Sequence, residues 1–214
     1  MKKTTALFFL IVLLFLLLSG SPVHGDAQGV LIYNFEGKNV SLSRNGRDVR
    51  LTPDMKCEKG DVVKTGADSS MDLACYYSAG CRLGPFSECV IVSAYESSVE
   101  LLLKSGTALV KMRTLQGNFK FEIGTPVATA SVRSDTQFWM KAYSDKDGKP
   151  AATFSLRQGA LSVRADLSGA SVYVPEAYSV DVTKDTFVPV RRPNTAEEAK
   201  ALQEASSVLI AVPD

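Results

Sequence analysis

The 214-residue chain carries 24 basic and 23 acidic side chains, is 45% apolar and contains one histidine. A near-neutral balance without a basic block excludes the clustered cations that nucleic-acid binding requires, and gives no electrostatic attraction to an anionic membrane surface. The length allows one domain with a real core, or one domain and an appendage.

The N-terminus reads as an address. Lys2 and Lys3 precede the unbroken apolar run Ala6–Leu18, 13 residues long, and Val23-His24-Gly25 supplies small residues for a peptidase. This pattern predicts a secretory signal peptide over residues 1–25, cleaved after Gly25, and an exported protein, periplasmic or secreted. The alternative is an uncleaved anchor, but the run falls short of the roughly 20 apolar residues that span a bilayer. No cysteine near the cleavage site indicates lipid attachment, and no later segment could cross a membrane. Removal of the signal takes away Lys2 and Lys3, which turns a net charge of +1 into −1, and also His24. A mature chain without histidine excludes Ser-His-Asp and Cys-His catalysis and every histidine-ligated metal site.

The first predicted strands are residues 29–35 and 40–43. Asn45-Gly46 is a strong two-residue hairpin signal, and 48–51 is the returning strand. The segment Gly60–Ser87 packs three short alternating stretches, 61–65, 71–75 and 81–83, between Gly, Pro, Asp and Ser clusters. Met71, Leu73, Cys75, Cys81 and Leu83 form its apolar face. Further strands follow at 88–93, 99–103, 107–113 and 119–123, then along 139–143, 154–163, 171–174 and 178–182. Asp145–Lys149 is a solvated hairpin turn rather than a calcium loop, which would need further acidic ligands and a terminal Glu. Arg191–Asn194 ends the β pattern. Thr195 and Glu198 make a capping box for a helix to about Leu209, with Ala199, Leu202, Ala205 and Leu209 as its apolar stripe. That helix packs on its own sheet, or serves a partner. Some sixteen short strands with no helix between them define an all-β domain over residues 26–190 and a helical tail over 191–214.

Three motifs in order, Gly60-Asp61 with Thr65-Gly66, then Ser69 to Leu73, then Arg82-Leu83-Gly84-Pro85, resemble the opening of a FecR-type domain. This is the periplasmic β-rich module of iron-transport regulators. Residues 101–110, Thr125–Arg133 and 154–163 resemble later segments of the same family, and the similarity covers about residues 29–184. It implies a small β-solenoid-like arrangement of stacked coils around one core. The family's Gly-Thr after the Thr-Pro signature is replaced here by Ser134-Asp135, which predicts an extra residue and a bulge. FecR-type regulators carry an anti-sigma segment and a membrane helix before this domain. The sequence shows neither, so sigma-factor control is not carried over.

Cys57, Cys75, Cys81 and Cys89 lie within 33 residues. In an oxidising compartment they predict two disulfides, with Cys75 to Cys81 opposed across a hairpin turning at 77–80 and Cys57 left for Cys89. The plain alternative is four buried thiols. A zinc site would need a Cys-x2-Cys knuckle that the spacing lacks. Asp61 reads as structural, and Arg133 with Asp135 as a solvated pair. No phosphate loop, nucleotide fingerprint or nucleophile elbow is present, so no cofactor and no metal is expected. If Phe138, Met140 and Ala142 face inward, Trp139, Lys141 and Tyr143 face outward, the composition of a contact patch. The C-terminal helix or a neighbouring coil could equally cover them. The sequence therefore predicts a non-enzymatic envelope protein that binds another protein through this patch. A carbohydrate or cell-wall binding module is the alternative.

Overall fold

The computed structural model describes residues 29–208 apart from 77, 96, 114–118, 133–134 and 205–206. The predicted signal peptide lies outside the described residues, as do Arg133, Ser134, Ala205 and Leu209. In chain order the first strands are β1 (Val30–Glu36), β2 (Val40–Arg44), β3 (Arg47–Val49), β4 (Met55–Lys56), β5 (Val62–Thr65) and β6 (Ser70–Cys75). Next come β7 (Ala79–Leu83), β8 (Glu88–Tyr95), the long β9 (Ser98–Met112), β10 (Lys120–Gly124) and β11 (Ala128–Val132). The chain ends with β12 (Thr136–Ser144), β13 (Pro150–Gln158), β14 (Leu161–Ala165), β15 (Ser171–Val174), β16 (Tyr178–Thr183), β17 (Val190–Pro193) and α1 (Ala196–Glu204). Among the described residues the protein is all-β with one short C-terminal helix, as the sequence predicts. None of its described helices is long and apolar enough to cross a membrane.

The strands form two leaves that share β9. The first leaf runs β4-β1-β6-β7-β9-β12-β13-β16-β17. The second runs β3-β2-β5-β8-β9-β10-β11-β14-β15. After β9 the chain alternates hairpin by hairpin, with β10–β11 in the second leaf, β12–β13 in the first, β14–β15 in the second and β16–β17 in the first. Among the described residues only β9–β10 is parallel. Local signals set the hairpins. Asn45 and Gly46 take φ of 53° and 75°, the left-handed pair that a tight two-residue turn needs. The Asp145 carboxylate accepts from the backbone N–H groups of Asp147 and Lys149, which closes the β12–β13 turn.

Where the sequence predicts two strands, over 99–103 and 107–113, the structure has one. β9 pairs with β8 up to Ser105 and with β12 from Gly106 onward. Gly106 has φ +90°, and a Cβ there would lie 2.3 Å from Ser87 Oγ and 2.4 Å from Ser87 Cα. Glycine thus lets the strand turn from one leaf into the other while its pairing continues.

The inward faces merge into one core in which Leu73, Phe138 and Phe154 of the first leaf meet Leu101, Phe121 and Ile123 of the second. Each side chain of that size contributes about 1.5–3 kcal/mol when fully buried. The predicted inward set Met71, Leu73, Cys75, Cys81 and Leu83 is fully buried in this core. So are Phe138 and Met140, with Ala142 nearly so.

Candidate functional site

The outer face of the first leaf carries one row of side chains across seven strands. Register places Asp72 beside Arg82, Arg82 beside Leu109, and Leu109 beside Trp139. The row continues through Ser155 and Ser179 to Arg192. One end is the Asp72–Arg82 ion pair and the other is Arg192; the centre is apolar, and two hydroxyls lie between that centre and Arg192. At one end Arg82 grips Asp72 with Nε and Nη2 at 2.7 and 2.9 Å.

α1 lies over this row. Its start is the capping box the sequence predicts, with Thr195 N–H donating to Glu198 at 2.7 Å and Glu198 N–H donating to Thr195 Oγ1 at 3.2 Å. The same Glu198 carboxylate turns down into the sheet. It accepts from Arg192 Nη1 and Nη2 at 2.9 and 2.6 Å and from the Ser179 hydroxyl at 2.9 Å. Ser179 also contacts Ser155 and Asn194, and Arg192 reaches Asp181. Burial by itself pushes the Glu198 carboxyl up. The Arg192 guanidinium, the Thr195 N–H and the Ser179 hydroxyl outweigh it and bring the pKa down to about 2. Hydrogen bonds to Glu198 and Asp181 hold Arg192 above its usual range.

One turn along α1, Leu202 packs on Leu109 and Trp139, and Val208 joins them beyond the helix. Arg157 Nη1 donates to the Leu202 carbonyl at 3.4 Å, and Arg82 Nη1 to Ser207 Oγ at 3.0 Å. A β-bulge lets Arg157 reach this far. Gln137 faces Gln158 but Phe138 faces Leu156, so Arg157 is the extra residue of β13. The sequence predicted an extra residue at Ser134–Asp135, and Ser134 lies outside the described residues.

The expected contact patch is therefore divided. Trp139, Lys141 and Tyr143 do share the outward face, but Trp139 is only 7% exposed because α1 covers it. Trp139 is a floor residue and not the exposed centre of a contact, which corrects the sequence expectation. Its cover comes from residues some sixty positions away, so strand alternation alone could not reveal it. Lys141 is half-buried and Tyr143 exposed, with the Lys141 ammonium 5.7 Å from the Tyr143 ring centre. Beside them a groove of about 480 Å³ opens between α1 and the ends of β6 and β7. Trp139 and Leu109 line its apolar part, and Arg82, Lys200, Glu197 and Glu204 its charged part. Sequence reasoning named Glu198 only as a cap, Arg82 only as part of a strand-ending motif and Arg192 only in the segment that ends the β pattern, and it gave Ser179 no role. The one available signal was the polar spacing Arg192–Glu198.

The cysteines depart from expectation in register. Cys75 faces Ala79, and Cys81 faces Leu73, so Cys75 and Cys81 are not opposed. The turn is shorter than predicted, with β7 already running at Ala79 and Tyr76 at φ 47°. The slip is two residues, which keeps both side chains on the core face. All four thiols are free and buried. Burial pushes Cys57 and Cys89 up to about 12 and raises Cys75 and Cys81 as well; neighbouring thiols add to the rise at Cys75, Cys81 and Cys89, and Asp61 adds to it at Cys57. Asp61 is structural, as expected. It is 1% exposed and accepts from Arg44 Nε and Nη2 and from the Glu58 N–H.

The sequence matches no protein-family profile and no curated protein. In fold, the chain is similar to two crystal structures of a "putative anti-sigma factor" from Parabacteroides distasonis, at 2.50 and 1.65 Å resolution. The TM-score is 0.54 for each, with 13% and 12% sequence identity. Each likeness covers 67% of this chain and 64% of the solved one, so it shows a shared β architecture over part of both.

Proposed function

We propose that this chain is a non-enzymatic, exported module of the cell envelope that presents a protein-binding surface in scaffolding or signalling. The observation that carries the reading is the outer face of the first leaf. There an apolar floor of Trp139 and Leu109 opens into a groove rimmed by charges of both signs, with exposed Tyr143 and half-buried Lys141 alongside. An apolar centre with a polar rim is the anatomy of a protein contact. The fold shared with the Parabacteroides structures supports a regulatory or signalling role over a catalytic one.

A photo-crosslinking residue in place of Tyr143, exposed to the envelope fraction, should yield a discrete protein adduct. The same residue in place of Tyr95, 58% exposed on β8 of the other leaf, should not. No adduct from position 143, or equal adducts from both, rejects this face. A second reading rests on the same groove, whose indole and hydroxyl lining also suits a short glycan. Retention on envelope glycans with no protein adduct would put that reading first.

A further inference from the structure

Resting on the protein-binding reading above, we propose that the row from Arg82 to Arg192 is a docking seat for an acidic amphipathic helix of a partner protein. α1 is its occupant in cis, and the partner helix displaces it.

Three observations support exchange. The seat is a cluster separate from the main core, formed by Leu109, Trp139, Leu202 and Val208. The hold on α1 is also confined to few residues, since only Glu198 and Leu202 of its nine are buried. Finally, the chemistry of the seat is general rather than particular to α1. Arg192 and Ser179 take a carboxylate from the first helical turn, Leu109 and Trp139 take a leucine one turn later, and Arg157 takes a carbonyl near the helix end. Arg82, gripped by Asp72 through two nitrogens and donating the third to Ser207, lines the groove beside the segment that follows α1. A helix with a carboxylate in its first turn, a leucine four residues on and net negative charge meets every one of these groups. α1 has Glu197, Glu198 and Glu204 against Lys200, and so already shows the pattern. Occupancy in cis lowers apparent affinity for a partner in proportion to the fraction of seats left open. The module would answer only to a helix that is abundant or a better fit.

The test uses the full chain and a synthetic peptide of residues 195–208, TAEEAKALQEASSV. Trp139 is the chain's one tryptophan, and the peptide has none, so indole emission reports the seat. Leu202→Asp should free α1 and shift emission to the red while leaving the far-ultraviolet β signal unchanged. Added peptide should then restore the blue-shifted emission, binding at least tenfold more tightly than to the wild-type chain. A peptide carrying Gln at the Glu198 position should bind at least tenfold more weakly than the unaltered peptide. If Leu202→Asp costs the β signal, Glu198→Gln in the full chain supplies the same comparison. Variants that keep their β signal but bind the peptide no better than wild type overturn the proposal. A Tyr143 adduct together with that failure removes the seat and leaves the module reading standing. Peptide exchange without any adduct does the reverse.

Discussion

At the scale of single residues, the outer face shows how one covering contact changes a side chain's role. Trp139 alternates outward from its strand, yet is as buried as Phe119 of the core. Truncation to Ala removes an indole from a closed cluster, and should cost about 3 kcal/mol, the lower end of the range for a buried aromatic. Urea denaturation should show a lowered midpoint. An unchanged midpoint would return Trp139 to the surface. The thiols are the second case. Their burial withholds the thiolate, the reactive form. Native protein should resist alkylation, and unfolding without reductant should expose four reactive thiols by mass. Two or none would mean that oxidation overrides the register seen here.

At the scale of elements, α1 depends on one carboxylate used twice, as cap and as anchor. Glu198 is held at about 2, below the ordinary value of 4.5, so its contribution is fully present above pH 4.5. It is lost as pH falls from there through about 2. Arg192 keeps its charge throughout that range, and its other partner, Asp181, faces it from β16. Acidification should therefore release α1, with Trp139 emission moving to the red below pH 4.5 while β-sheet ellipticity persists. Glu198→Gln should already show part of that shift at pH 7 and lose its dependence on pH in this window.

For the whole molecule, β9 is the joint. It takes part in both leaves, and the core they enclose is continuous, so the leaves should unfold in one transition. Gly106→Ala places a Cβ against the Ser87 backbone at a φ that side chains rarely adopt. The change should cost about 1–3 kcal/mol or more, lower the midpoint for both leaves together, and keep a single transition. Two separated transitions would show that the leaves are independent.

The sequence by itself determined what depends on near neighbours along the chain. Strand alternation, the Asn45-Gly46 and Asp145–Lys149 turns, the Thr195–Glu198 box and the inward set from Met71 to Leu83 are all set within a few residues. Local sterics and hydrogen bonds suffice for each of them. The run of short strands with no helix between them reached an all-β class that the structure bears out. Tertiary structure alone decided what depends on elements meeting from afar. β9 continues through Gly106 because its neighbour changes there from β8 to β12. Cys75 meets Ala79 because the turn closes two residues sooner than the pattern of apolar positions requires, and a two-residue slip leaves that pattern unchanged. Trp139 is covered because a helix some sixty residues later is drawn back by Arg192 and Ser179. Periodicity tells which way a side chain points, but only the folded chain decides what lies there to receive it.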